Sequence, residues 1–146
     1  MTIASHAALD AIEGLISAVC AAERADAFLA GRGTARPSAR VPGGVRVELA
    51  DGGPLAALEV RAWDGDAIGV VEVEIAPGCA PTWGEVQDRL GPFTPLALLH
   101  PGPAVMSATW WREPHPVDAT VLVADPGGAT APVHALNIRR GRSRPG

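Results

Sequence analysis

Four histidines, two cysteines and a set of strand glutamates are the side chains through which this 146-residue chain could do chemistry. Alternation along residues 132–139 puts His134 on the same side as Leu136 and Ile138. A half-buried imidazole titrates near neutrality, where a general base works. His100 sits before a proline in the loop 92–103 and is the second candidate base. His6 and His115 complete the set, and no two histidines stand four apart on a helix as metal ligands would. Cys20 and Cys79 lack metal or redox spacing. Cys79 comes just before a helix start, where a thiolate is favoured, but it has no assigned histidine partner. A Cys20–Cys79 disulfide stays open.

Glu48 and Glu72 fall on one sheet face with Ala57 between them, about 9.6 Å apart across two strand spacings. That is near the separation of inverting glycosidase carboxylates. The same acids, dotted with Arg46 and Arg61, also describe a solvated sheet face. Asp64-Gly65-Asp66 reads as a hairpin turn, since no further acid follows at calcium-loop spacing. The chain carries no nucleophile elbow, phosphate loop or dinucleotide fingerprint. Neither a metal nor a cofactor is expected.

The least routine feature is Trp110-Trp111, followed at once by Arg112. Adjacent strand residues point to opposite faces, so a sheet that buries one ring must find separate cover for the other. Trp and Arg are also the usual anchors of binding surfaces. Trp110, Trp111, Arg112 and Phe93 are therefore the candidate contact residues, with loop 92–103, a small apolar ligand or another chain as the cover.

The elements that must position these groups follow from periodicity. Leu9, Ile12, Ile16 and Val19 make one apolar stripe, predicting a helix over 6–30 capped by Ser5. Residues 31–43 have no period and read as a mobile connector. Segments 45–49, 58–62 and 71–75 alternate cleanly, with Asp51-Gly52-Gly53-Pro54 and Asp64-Gly65 as turns, and Arg46 falls opposite Glu59. Thr82-Trp83-Gly84-Glu85 is a capping box for a second helix with Trp83, Val86 and Leu90 on one face. Three more strands follow over about 104–112, 118–124 and 132–139. These are apolar on both faces, which predicts cover on both. The fold class is α+β: a single two-layer domain over 1–138, order α-βββ-α-βββ, with a mostly antiparallel sheet packed by two helices.

Composition narrows the partners. Seventeen glycines and fourteen prolines exceed the usual share, yet they cluster between the periodic segments and act as punctuation. Every basic residue is Arg, which fits a GC-rich bacterial genome. Four arginines lie within 139–146, read as a basic disordered tail, so the body before it is acidic. An acidic body with six aromatics argues against nucleic acid. Asp10 and Glu13 interrupt the first apolar stretch, so neither a signal peptide nor a membrane span is expected, and a cytoplasmic location is the default. Together these features favour a small, soluble, non-enzymatic binding or accessory protein. It would self-associate as a homodimer through an apolar sheet face bearing Trp110 and Trp111. One alternative is a cofactor-free isomerase, cyclase or hydrolase with an apolar pocket under loop 92–103 and His134 or His100 as base. Another is an accessory protein that meets a basic partner through the acidic strand face.

Overall fold

The computed structural model describes residues 2–22, 24–62, 68–96, 104–115 and 117–143. Helix α1 (Ile3–Ala21) begins three residues before the expected start. Thr2 is the cap, and Ser5 is its capping-box partner: the Ser5 amide donates to Thr2 Oγ1 at 3.0 Å and the Thr2 amide to Ser5 Oγ at 3.1 Å. The long helix predicted to residue 30 breaks after Ala21, and α2 (Ala25–Leu29) leaves in a new direction. The reason is rotational. Nine residues separate Val19 from Phe28, and 100° per residue would put Phe28 opposite the stripe. The break lets Phe28 enter the core, where it is 2 % exposed.

β1 (Thr34–Pro37), β2 (Val45–Glu48), β3 (Leu55–Ala62) and β4 (Ile68–Ile75) form one antiparallel meander. α3 (Trp83–Leu90) follows, then β5 (Thr94–Leu96), β6 (Val105–Trp110), β7 (Val117–Ala124) and β8 (Ala135–Ser143). All eight strands join one sheet, ordered β1-β2-β3-β4-β8-β7-β6-β5. Its seam is the antiparallel β4–β8 pair, with Ile138 opposite Val71 on one side and Val121 on the other. The α+β two-layer class holds, with two strands and one helix more than periodicity predicted. Both added strands lie at the sheet edges and are exposed throughout. An edge strand that buries neither face leaves no hydrophobic alternation to read. Pro37 and Pro95 are at home there, because an edge needs hydrogen bonds from one side only. Thus part of the 31–43 connector is β1, and part of the loop 92–103 is β5. At the entry to β1, a Cβ on Gly33 would collide with the Glu48 carbonyl.

α1 crosses β4, β8 and β7, and α3 packs on α1. Val47, Leu58, Val60, Val71, Val73, Val121, Leu136 and Ile138 form the inner face of the sheet and are buried with Leu9, Ile12 and Ile16 of α1. α1 has 19 residues and a mean hydropathy of 1.4, enough by length and composition for a spanning helix. In this fold its apolar stripe covers the sheet. Ser5 Oγ donates to Glu85 Oε2 at 3.2 Å, and Arg89 bonds Glu13 at 2.7 Å and also Asp10, so polar contacts tie α1 to α3.

Two expectations are corrected in the last third. β8 runs on through Arg139 and Arg140 to Ser143, so the predicted tail is sheet over its first five residues. Arg140 Nε donates to the Val19 carbonyl at 3.2 Å. The phase of 132–139 also shifts: Val133 and Leu136 are both buried, while His134 and Ala135 are exposed. The cause is backbone pairing before the strand starts. The amides of Trp83 and Gly84 donate to Ala131 and Ala129, and that of Val133 to Pro81, each at 2.8 Å. The chain must bend away from α3 to enter β8. Among the described residues, the outer face of β5–β8 carries no second layer. Val105, Thr120 and Leu122 are half-buried there and Leu96 is 41 % exposed.

Candidate functional site

The predicted contact residues separate into two places. Trp110 ends β6 on the inner face, opposite Ala119, and is 5 % exposed. The Arg112 guanidinium stacks over its ring at 5.0 Å, and the His115 ring lies 6.3 Å away. Trp110 Nε1 is buried without a hydrogen-bond acceptor among the described residues. Trp111 is half-buried, and its Nε1 donates to the His115 carbonyl at 2.7 Å. The turn 111–115 therefore supplies the separate cover that a tryptophan pair needs. Phe93 stacks instead on Trp83, with centroids 5.0 Å apart. His134 is exposed, and its carbonyl accepts the Ile75 amide at 2.9 Å, so its expected place beside Leu136 and Ile138 is not found. His100, residues 97–103 and the Asp64–Asp66 turn lie outside the described residues. Both cysteines are free thiols, Cys20 buried and Cys79 half-buried. Burial pushes the Cys20 thiol up to about 11.

The outer face of β1–β4 is more organised than a solvated strand face. Arg46 lies opposite Glu59 as predicted, but its strongest bonds go elsewhere. It reaches across β3 to Glu74 in a fork of 2.8 and 2.9 Å and takes Glu48 at 2.7 Å. Ala57, between Glu48 and Glu74 in register, is small enough to let it pass. The carboxylates flanking Ala57 are thus Glu48 and Glu74, joined by a guanidinium. Glu72 lies instead beside Glu59. The Arg46 fork holds the Glu74 carboxyl below the usual glutamate range. Arg36 bonds Glu48 at 2.8 Å, and Arg40 bonds Glu72 at 2.9 Å.

Residues 38–44, read as connector, fold over this face as a strap. The Ser38 amide donates to the Gly44 carbonyl at 2.9 Å and the Gly44 amide to the Val41 carbonyl at 2.9 Å, with Gly43 at φ +78° in the turn. Under the strap is a cavity of about 160 Å³ lined by Ser38, Val41, Glu59, Arg61, Glu72 and Asn137, among others. Alternation correctly put Glu59 on the outer face but could not show that the strap buries it to 7 % exposure. The legible trace was Pro42-Gly43-Gly44 directly before β2, a turn able to send the chain back across its own strand. Searches against protein-family models, curated proteins and solved structures find no match, so the reading of these surfaces rests on their own geometry.

Proposed function

We propose that this chain is a non-enzymatic binding or accessory protein that pairs with a second copy of itself through the helix-free face of β5–β8. The observation that carries the reading is the surface left open there among the described residues: Leu96, Val105, Thr109, Thr120 and Leu122, with exposed Arg139 beside Thr120. A second copy presents the same apolar residues about a two-fold axis, so one patch can cover both. The sheet edges are poor alternatives, being short and carrying Pro37 and Pro95. Trp110 belongs to the core in this reading, and the associating surface centres on Leu122, between Ser107 and Asn137. His134 stands exposed, and His100, the other candidate base, lies outside the described residues.

The test is the molar mass in solution by light scattering at high micromolar concentration. The wild type should be a dimer, and Leu122→Arg a folded monomer. A monomeric wild type, or a dimer that survives Leu122→Arg, would sink the proposal.

A further inference from the structure

The outer face of β1–β4 holds one carboxylate more than its arginine network pairs closely. Arg36 and Arg46 take Glu48, Arg46 takes Glu74, and Arg40 takes Glu72, all at 2.7–2.9 Å. Glu59 is left over, and it is the most buried of the four. Its Oε1 accepts a hydrogen bond from Ser38 Oγ at 2.7 Å. Its Oε2 has no hydrogen-bond donor among the described residues. The nearest cation to that oxygen is Arg40 Nη2 at 3.5 Å, while Arg46 Nη1 stands 4.0 Å from Oε1. A buried carboxylate oxygen without a donor forgoes the hydrogen bond it would make in water, and a donor brought into the cavity beside it would restore one.

We propose that the strapped cavity binds a small primary ammonium group. An ammonium carries three donors. The lining offers acceptor-bearing residues to match, Glu59, Glu72 and Asn137, with Arg61 as the cation among them. Val41 and Val70 give a short alkyl chain apolar walls. The volume suits a ligand of a few heavy atoms, since drug-sized pockets span roughly 300–1,000 Å³. A divalent cation fits less well: calcium asks for six or more oxygens.

The experiment titrates propylammonium chloride into the full chain at constant ionic strength, following the backbone amide resonances of Ser38–Gly44 and Asn137. Saturable shifts are expected there, with none from 1-propanol at the same concentration. Glu59→Gln, which keeps the shape and removes the charge, should weaken binding about tenfold or more. Should that variant fail to fold, Val41→Phe fills the cavity from the strap and should abolish the shifts. Absence of saturation, an equal response to propanol, or unchanged affinity in the folded variant would overturn the proposal and leave water as the occupant.

Discussion

The two halves of the sheet share an inner face and differ on the outer one. In β1–β4, charge covers the surface: Arg36, Arg40 and Arg46 bind Glu48, Glu72 and Glu74, and a strap closes over Glu59. In β5–β8 the same face shows threonines, Val105, Leu122 and a single arginine, Arg139, with no strap above them among the described residues. One sheet has thus reached two answers to a half-solvated surface. The first satisfies all its carboxylates but Glu59 by close internal ion pairs, and the second leaves apolar area open to a partner. The difference shows that net charge is a poor guide to where a protein binds. The acidic body suggested a surface for a basic partner, yet most of its strand acids are already bound by arginine.

The largest effect should come from the seam that makes the halves one unit. Ile138 is fully buried, flanked by Val71 and Val121. Ile138→Ala should cost about 3 kcal/mol or more in denaturant unfolding. Tryptophan fluorescence and far-ultraviolet circular dichroism should still give one coincident transition. Two separated transitions would show that the halves fold independently.

A smaller effect should follow from the ionic half alone. Arg46 is 22 % exposed and serves two carboxylates, so Arg46→Met should cost about 1–2 kcal/mol, discounted from a fully buried pair for solvent screening. The sign with pH can be worked out. The folded-state value of Glu74 lies below its ordinary 4.5, so its contribution is present above that pH and lost as pH falls below it. Acid unfolding should therefore be shallower in Arg46→Met than in the wild type. Equal slopes would place the acid sensitivity elsewhere, with Glu85, held low by the Thr82 amide, as the next candidate.

The smallest effect concerns the thiols. Cys79 should react with a thiol reagent in the native protein, and Cys20 only as fast as the core opens. Because burial raises the Cys20 thiol from 9.0 to about 11, its contribution is intact below pH 9 and is lost as pH rises toward the folded value. A Cys20→Ser variant that reproduces the wild-type alkaline limb would contradict that assignment.

Local rules were enough for much of this fold. Alternation placed β2, β3 and β4 and their inner face, and Thr82 through Glu85 announced α3, because period and capping act within a few residues. The α+β class followed from the order of those elements. Tertiary structure decided what depends on contacts distant in sequence. Ser38 and Glu59 are 21 residues apart, and only the folded strap makes that glutamate a buried group. The edge strands β1 and β5 exist because a neighbour offers them hydrogen bonds, and neither buries a face that would mark it in the sequence. The pull of α3 on residues 129–133 turned His134 outward, against its own alternation. Composition and period determine which residues can be inside. Which carboxylate is left without a donor, and which apolar face without cover, is settled when the two meanders meet along β4 and β8.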